Sequence, residues 1–600
     1  MALSSVTGPA DCADHPGHLR LATADRAVAH TLLNCLLREV SGPEHRTAVI
    51  DGHLLLWLPR TGVRLRVALR RTSLLGAHRF AGPASEYAGG GWSEIGWYRL
   101  AEHTHAELSA RTGAPNDEFL GQVVSSHQGV AAALGVPRPA AGGDPHSDYL
   151  ASERSLVYGH RFHPTPKARS GDPASWAAYA PEASAAFPLR LLAVRDRLIA
   201  QERTRPAATD PLDRLAAAPA GYRLLPAHPW QYELMHRHPV LRAALRRGDV
   251  LDLGTGRTRF AATASVRTLY DGDTFLKFSL NVRITNCLRK NAGYELSGAV
   301  ALTRLLAPAF ADLAARFPGS DILREPAFRS MAIPGPGGRP DVSLLEGFGV
   351  IVREGLAARL RPAATALLAA AVADEYPTGP GHLSRLLARA DRAAALRWWR
   401  TYLRLLVPPV LAAYFDHGIV LEPHLQNVLV CVDADGTPVQ VLFRDLEGAK
   451  LLPDHHAAAL AALPAHVAGP LTYDADRGWD RLVYCLLVNH VAEMLAALAD
   501  LHPSAEAALW SEVRRTIRDC ARTHHHPPRL TALLAGAPLP AKANLLTRWD
   551  RAADRQAGYI RLHSPLAQDV LPQGNVRPGA AAAAPSTPDG RGPDATGGAR

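Results

Sequence analysis

The chain has 600 residues, of which 47% are hydrophobic and 20% are charged. Such a length exceeds what one hydrophobic core usually serves, so two or three lobes are expected. The formal charge of +10 at pH 7 does not indicate a nucleic-acid partner, because the arginines are interleaved with acids and form no lysine-rich or RGG-type run.

Cysteine usage and the N-terminus indicate where the protein works. The six cysteines are widely separated and form no CxxC pair, which is typical of free thiols in a reducing compartment. The N-terminus has no basic segment followed by an apolar core, and no run of about 18 apolar residues occurs. We therefore expect a cytoplasmic protein with no membrane partner.

The first 145 residues predict an α+β lobe. Residues 22–40 have apolar groups at helical spacing, and helical spacing resumes over residues 94–134. Between them, residues 46–70 alternate as strands around turns at Asp51-Gly52 and Thr61-Gly62. The Pro/Gly-rich segment 135–148 then predicts a lobe boundary.

A polar loop follows at residues 153–171, which read ERSLVYGHRFHPTPKARSG. His163, Lys167 and Arg169 give this loop donors for an anion. His160 and His163 could bind a metal, but no further ligand supports a zinc set, and a histidine satisfied inside a turn is the alternative. Residues 179–202 then predict a helix.

The most informative stretch is 263–291, TASVRTLYDGDTFLKFSLNVRITNCLRKN. Apolar and polar residues alternate on both sides of Asp271-Gly272, which predicts two strands joined by a hairpin. Cations, amides and hydroxyls share this ribbon, and no acid lies between Phe275 and Asn291, so we predict an anion site. These polar residues are Ser265, Arg267, Thr268, Lys277, Asn281, Arg283, Thr285, Asn286, Arg289 and Lys290.

Lysine is rare in this chain. Arginine supplies nearly all of the 66 basic residues, so each lysine carries more information than usual, although a scattered surface lysine remains the alternative for any one of them. The five lysines are Lys167, Lys277, Lys290, Lys450 and Lys542.

Residues beyond the ribbon predict more helices and a second hairpin. Residues 294–317 predict one long helix, residues 342–356 contain a strand, and residues 397–418 predict a helix that Pro408-Pro409 should bend or break. Residues 420–450, VLEPHLQNVLVCVDADGTPVQVLFRDLEGAK, predict a polar turn, a strand, an Asp-Gly turn and a second strand.

That last layout resembles the catalytic loop and metal-binding acid of kinase-like phosphotransferases, with Asn427 and Asp445 at the two Mg²⁺ positions. A kinase loop has an Asp between its His and Asn, whereas Leu425 and Gln426 stand there, and no G-x-G-x-x-G loop precedes the lysine. The segment indicates Mg-ATP binding without a base for an alcohol, so a carboxylate could be the attacking group. The alternative is a buried His and Asn that cap strands.

Several ordered blocks resemble the NRPS-independent siderophore (NIS) synthetase family of the aerobactin-synthetase type. Together they cover most of residues 150–550, and Arg161 departs from the Pro that the family more often has after Gly-His. The blocks are GHRFHPTPKARSG, YAPE, PAHPWQ, ASVRTL, FLKFSLNVRITNCLRKN, EPHLQNVLV, FRDLEG and AKANLLTRW.

The resemblance implies an α+β multi-lobed fold shaped like a cupped hand, with a kinase-like metal site in the palm, and it implies a homodimer. The corresponding lobes are an N-terminal thumb at 1–145, fingers with the nucleotide- and acid-binding ribbon at 146–345 and a palm at 346–570. Composition predicts a disordered tail at 571–600.

The resemblance also implies ATP-dependent condensation of citrate or a related acid with an amine or hydroxyl, through an acyl-adenylate. The implied cofactors are ATP and Mg²⁺, and the implied partners are small molecules only. The implied catalytic residues are His163, Lys167, Arg289 and His424. The implied nucleotide-binding residues are Ser265, Arg267, Thr268, Lys277, Asn427 and Asp445. The implied acid-binding residues are Thr285, Asn286, Arg289, His424 and Gln426, and the implied metal ligands are Asn427, Asp445 and Glu447.

Two other functions are weighed against this one. A kinase-like small-molecule phosphotransferase would release ADP, and the missing loop Asp argues against it. A non-catalytic relative would have lost the lysine or the metal residues, yet Lys277, Asn427 and Asp445 are present. The sequence does not identify the acid or the nucleophile.

Overall fold

Three larger sheets organise the protein, whose structure is a computed structural model. It describes residues 23–137, 143–169, 173–284, 287–375, 381–552 and 557–567. The predicted tail at 571–600 lies outside these ranges.

A five-stranded antiparallel sheet with three helices forms the N-terminal part. The strand order is β1-β2-β3-β4-β5, and the predicted turn at Asp51-Gly52 is confirmed, because both residues have positive φ and join paired strands, as tight hairpins require. Leu545 and Trp549 from the far end of the chain pack into this core. The elements are α1 (Ala24–Leu36), β1 (Thr47–Ile50), β2 (His53–Trp57), β3 (Arg64–Arg71), β4 (Arg79–Ala88), β5 (Gly91–Ile95), α2 (Trp97–Thr112) and α3 (Asp117–Leu134).

An eight-stranded sheet dominates the middle of the chain, in the order β7-β15-β16-β11-β10-β9-β6-β8. Its elements and their neighbours are α4 (Pro145–Arg154), α5 (Pro173–Tyr179), β6 (Ala186–Arg195), β7 (Ile199–Arg203), α6 (Asp210–Asp213), β8 (Tyr222–Ala227), α7 (Pro229–Met235), α8 (Pro239–Arg247), β9 (Val250–Ala262), β10 (Thr268–Tyr270), β11 (Thr274–Phe278), β12 (Leu280–Ile284), β13 (Cys287–Arg289), α9 (Gly293–Leu305), α10 (Ala307–Arg316), β14 (Ser320–Ile322), β15 (Ala327–Met331), α11 (Val342–Gly347) and β16 (Val350–Glu354).

A four-stranded sheet, β14-β20-β19-β17, lies against the helical C-terminal part and its large apolar core. The remaining elements are β17 (Thr365–Leu368), α12 (Ala369–Val372), α13 (His382–Leu386), α14 (Arg392–Phe415), β18 (Ile419–Val420), β19 (Val428–Val432), β20 (Pro438–Phe443), β21 (Lys450–Leu451), α15 (Pro453–Ala461), α16 (Ala465–Leu471), α17 (Ala475–Val483), α18 (Ala492–Leu501), α19 (Glu506–Thr523), α20 (Pro528–Leu534), β22 (Leu539–Lys542), α21 (Asn544–Trp549) and β23 (Tyr559–Leu562).

The helix predicted over 179–202 is wrong, because most of that segment forms β6 and β7. Phe187, Leu189 and Leu191 alternate into the core, and β6 is hydrogen-bonded to strands on both sides. Pairing within the sheet outweighs the helical propensity of an Ala- and Leu-rich segment.

The ribbon at 263–291 is only partly as predicted. The hairpin around Asp271-Gly272 is confirmed as β10 paired with β11. The second half does not extend that hairpin, because β12 and β13 pair with each other in a separate two-stranded sheet.

The single helix predicted over 294–317 is wrong, and no break occurs at Pro408-Pro409. The long helix over 294–317 is two helices, α9 and α10, bent by 55°, since Pro308 lacks an N–H and crowds the preceding turn. By contrast, α14 runs unbroken through Pro408 and Pro409. The Leu405 carbonyl, which loses its helical donor to Pro409, accepts a hydrogen bond from Ser320 Oγ at 2.5 Å.

One helical run, residues 475–501, is long and apolar enough to cross a membrane by composition, but 94% of its most apolar window is buried inside the protein. Its middle, Tyr484–Val491, is a π-helix. There His490 Nδ1 donates a hydrogen bond to the Pro423 carbonyl at 2.8 Å, and its Nε2 accepts one from Tyr402 Oη at 2.6 Å. The run is therefore a core element that supports the EPHLQN loop.

Candidate active site

The β10–β11 hairpin places Lys277 at the centre of the eight-stranded sheet. Lys277 is opposite Thr268 in the register, and it is only 2% exposed. Ser265 Oγ accepts a hydrogen bond from the Thr268 backbone N–H at 3.0 Å and donates to Thr268 Oγ1 at 2.8 Å. Val266, between them, has a φ of 64°, so the ASVRT segment is a tight, defined loop beside the lysine.

The β19–β20 hairpin brings Asn427 and Asp445, two of the three predicted metal ligands, to one end of the four-stranded sheet. Val428 pairs with Phe443, so Asn427 and Arg444 are the next residues on the two strands, and the Arg444 backbone N–H donates to the Asn427 carbonyl at 2.9 Å. Asp445 follows directly with a φ of 73°, a conformation that Asp tolerates better than most residues.

Lys277 and Asp445 meet across the junction of the two sheets. Lys277 Nζ contacts Asp445 Oδ1 and lies 2.5 Å from Glu447 Oε1, while Arg353 Nη2 is 2.5 Å from Asp445 Oδ1. Although burial raises the pKa of Asp445, Lys277 and Arg353 hold it well below the usual range. Asp445 is therefore ionised at neutral pH.

Glu325 is hydrogen-bonded to two members of this cluster. Its Oε1 accepts from Arg353 Nη2 at 2.7 Å, and its Oε2 accepts from the Glu447 backbone N–H at 3.0 Å. Burial raises the pKa of Glu325 above its ordinary value. The cluster thus sets the carboxylates of Asp445, Glu447 and Glu325 against three cations, Lys277, Arg353 and Arg267, whose Nη2 lies 3.4 Å from Glu447 Oε1.

One carboxylate oxygen of this cluster is buried without a hydrogen-bond partner in the described part of the chain. Glu447 Oε2 is buried and has no hydrogen-bond partner among the described residues, which is costly unless a ligand satisfies it. With Asp445 and Asn427 it provides oxygen donors of the kind Mg²⁺ prefers. The described residues contain no group of three or more His, Cys, Asp or Glu that could hold a metal. That is compatible with Mg²⁺, which is commonly held by one or two carboxylates together with phosphates and water.

All six residues predicted to bind nucleotide line one cavity of about 110 Å³. They come from the ASVRT loop (264–268), from β11 and from the open end of the β19–β20 hairpin. Its described lining also includes Arg289, Gln426 and Arg353. The predicted residues are Ser265, Arg267, Thr268, Lys277, Asn427 and Asp445.

A larger cavity of about 640 Å³ adjoins the first one, and Arg267 and Arg289 line both. Cations outnumber acids in its described lining, which suits a ligand with several carboxylates. The cations are Arg267, Arg289, Lys290, Lys450, Arg477 and Arg481, and the acids are Glu295, Glu422 and Glu447.

Three predicted residues do not line these cavities, as far as the structure describes the walls. Lys167 is buried, its Nζ contacts Glu182 Oε1, and it donates to the Leu156 carbonyl at 2.5 Å. His163 Nδ1 accepts from the Thr165 backbone N–H at 3.1 Å. Burial lowers the pKa of His424 to about 4, so its imidazole is neutral at pH 7. Thr285 and Asn286 lie outside the described residues.

The sequence did not identify the residues that pair with Asp445 and Glu447 or several of those that line the larger cavity. Arg353 and Glu325 lie on or beside other strands of the sheet, and Arg481, on α17, pairs with Glu422 at 2.8 Å. Only two signals were available in the sequence: Lys450 is one of the rare lysines, and Glu422 begins the EPHLQN block.

The fold and the site define an α+β protein in which a buried cluster of carboxylates and cations adjoins a cation-rich cavity. Residues 148–374 match the IucA/IucC family, and residues 396–557 match a family described as ferric iron reductase FhuF-like transporter.

Similarity to individual proteins supports the match to the IucA/IucC family. The chain is 30% identical to the rhizobactin siderophore biosynthesis protein RhbC of Rhizobium meliloti, over 89% of this chain and 96% of that protein. It is 29% identical to an L-2,3-diaminopropanoate–citrate ligase of Staphylococcus aureus, over 70% of this chain and 74% of that protein. The fold matches ATP-bound aerobactin synthetase IucA from Klebsiella pneumoniae with a TM-score of 0.78 at 24% identity, over 90% of this chain and 99% of that one. The chain therefore belongs to the IucA/IucC family, and the resemblance to NIS synthetases of the aerobactin-synthetase type is confirmed.

Proposed function

We propose that the protein is an ATP-dependent siderophore synthetase that adenylates a carboxylate of citrate or a related acid and condenses it with an amine or hydroxyl. The observation that carries the proposal is the single cavity lined by all six nucleotide-binding candidates, which adjoins a cation-rich cavity at Arg267 and Arg289. The names of the relatives, a citrate ligase and an ATP-bound aerobactin synthetase, support the same reaction class.

In this proposal the smaller cavity holds the triphosphate. Lys277, Arg267 and the Ser265 and Thr268 hydroxyls bind phosphate oxygens, since ammonium and guanidinium groups make strong charge-assisted bonds to them. Asp445, Asn427 and Glu447 hold Mg²⁺, which supplies charge neutralisation for the phosphates when bound.

The larger cavity holds the acid. Arg289 binds a carboxylate through its two-pronged guanidinium. Gln426, which lines the adjoining smaller cavity, and His424, which lines neither cavity as far as their walls are described, are proposed to bind the acid as well. Thr285 and Asn286, which lie outside the described residues, are proposed for the same role. A carboxylate oxygen forms a bond to the α-phosphorus while the bond to the β-phosphate bridging oxygen breaks, and pyrophosphate leaves. The nucleophile then forms a bond to the acyl carbon, and AMP leaves with the oxygen that came from the carboxylate. The proton that the nucleophile loses passes to water.

His163 and Lys167 are proposed to contact the α-phosphate or the acid. Lys167 would have to exchange its contact with Glu182 for the ligand. The division into thumb (1–145), fingers (146–345) and palm (346–570), the kinase-like character of the palm, the homodimer and the cytoplasmic location all belong to this proposal.

The phosphotransferase alternative is not favoured. Leu425 and Gln426 separate His424 from Asn427, so the loop has no carboxylate to accept a hydroxyl proton.

The test is product analysis with ATP, Mg²⁺, a panel of acids that includes citrate, and hydroxylamine as a surrogate nucleophile. We expect acid-dependent AMP and hydroxamate. ADP without hydroxamate would instead establish phosphoryl transfer and reject the proposal.

A further inference from the structure

A third cavity, the α9–α11 cleft, has no role in the proposed reaction. It encloses about 510 Å³ between β7, β15, α9 and α11. Much of its wall is apolar and includes Leu296, Phe328, Leu345 and Val342, which is 60% exposed. A cleft of this size and character is large enough for a small organic molecule with a hydrocarbon portion.

The cleft has the opposite charge to the acid-binding cavity. Its described lining contains the carboxylates of Glu202 and Glu346 and no Lys or Arg. Glu202 Oε1 accepts a hydrogen bond from Ser297 Oγ at 2.6 Å, so the carboxylate is fixed on the wall by a neutral partner and keeps its charge available. A polycarboxylate would be repelled here, whereas a cation would be attracted.

The cleft and the larger cavity share a wall. Tyr294 lines both. Glu346 of the cleft also pairs with Lys290 of the larger cavity, with 2.6 Å between Oε2 and Nζ. A molecule lying in the cleft therefore has one end next to the space in which the acid would be activated.

We infer that the α9–α11 cleft binds the nucleophile, and that this nucleophile is an alkyl amine with a second, distal cationic group. The distal ammonium lies against Glu202, since Glu346 is already paired with Lys290. The hydrocarbon portion packs on Leu296, Phe328 and Leu345, and the reacting nitrogen passes Tyr294. This inference rests on the proposed function and names the substrate class of its second step.

The experiment uses the full-length enzyme with ATP, Mg²⁺ and citrate, or the best acid of the panel. AMP release is measured with hydroxylamine, with butylamine, and with ethylenediamine, putrescine and cadaverine as diamine probes. The variants are Glu202→Gln, which removes one carboxylate charge, and Ser297→Trp, which fills the cleft. Glu233→Gln is the matched control because Glu233 is exposed on α7 and is absent from the described cleft lining. Thermal melting checks that each variant is folded.

We expect at least one diamine to have a KM well below that of butylamine. Glu202→Gln should raise the KM for that diamine about tenfold, the size of one charge-assisted interaction. It should leave the KM for butylamine and citrate and the hydroxylamine rate within about twofold. Ser297→Trp should weaken all the alkyl amines and spare hydroxylamine, which is too small to need the cleft.

Three results would overturn the inference. One is a wild-type enzyme that forms hydroxamate but does not prefer any diamine to butylamine; the proposed function would then stand without the amine cleft. Another is an equal loss with hydroxylamine and diamine in Glu202→Gln, which would reveal a general defect. The third is no AMP with hydroxylamine in the wild type for any acid, which would reject the proposed function itself and the inference with it.

Discussion

Glu153 and Arg444 form a buried ion pair, with 2.5 Å between Oε1 and Nη1, although 291 residues separate them in sequence. The other carboxylate oxygen of Glu153 accepts from the Ala264 backbone N–H at 2.9 Å, and Arg444 Nε donates to the Gln426 carbonyl at 2.9 Å. One ion pair thus joins the ASVRT loop to the EPHLQN loop. Both sides of the candidate nucleotide cavity depend on it.

We expect Glu153→Leu to lower the free energy of unfolding by about 3–5 kcal/mol, because it leaves the Arg444 charge buried without its partner. Chemical unfolding measures this. The control is Asp519→Ala in the pair with Arg522, whose side chains are 54% and 64% exposed; its cost should be at most about 1 kcal/mol. Equal costs for the two variants would contradict the assignment of Glu153 as a buried tie.

Lys277→Ala should reduce AMP formation by at least about 10²-fold, the usual effect of removing one preorganised donor from charge that develops in the transition state. The substitution also leaves Asp445 and Glu447 without their shared cation. Initial rates with saturating ATP test this, and Arg257→Ala, on an exposed part of β9 in the same sheet, should have no effect. Retained turnover in Lys277→Ala would remove the lysine from the site.

Asp445→Asn should abolish most activity and raise the Mg²⁺ concentration needed for half of the remaining activity. The reason is that an amide replaces a carboxylate that is ionised at neutral pH. A Mg²⁺ titration of AMP formation measures it. We expect the wild type to lose activity in EDTA and to regain it on adding Mg²⁺. A variant that keeps the wild-type Mg²⁺ midpoint would show that Asp445 does not hold the metal.

His228 predicts a loss of stability in mild acid. It is fully buried, and burial lowers its pKa from 6.5 to about 3. Below pH 6.5 the unfolded chain takes up a proton that the folded protein does not, so stability falls as the pH drops from about 6.5 to about 3. Between pH 7 and pH 5 this one residue accounts for about 2 kcal/mol.

The variant that isolates this effect is His228→Asn. His228 is the N-cap of α7, and its Nδ1 accepts from the Trp230 backbone N–H at 3.2 Å. Asn preserves such a helix cap but does not titrate. The loss of stability between pH 7 and pH 5 should therefore be smaller in the variant. Unchanged pH dependence would mean that His228 titrates alike in the folded and unfolded chains.

Local signals in the sequence predicted the two hairpins well. Asp271-Gly272 and the Asp-Gly turn at 435–436 each join paired strands, because such turns are specified by adjacent residues.

Predictions that depended on distant partners were less secure. The segment that forms β6 has helical composition, and only its two neighbouring strands make it extended. In α14, the Leu405 carbonyl that Pro409 leaves without a helical donor accepts from Ser320 Oγ, 85 residues away in the chain.

For the site, the sequence by itself determined the donors and acceptors: a rare lysine, an arginine-rich ribbon, an amide and two acids, in ordered blocks that identify the family. Only the tertiary structure decided which residues these donors and acceptors contact. It brought Lys277 onto Asp445 and Glu447, added Arg353 and Glu325, and set Lys167 against Glu182. The physical reason is that ion pairs form by distance in space, and the packing of two separate sheets, not their order along the chain, sets that distance.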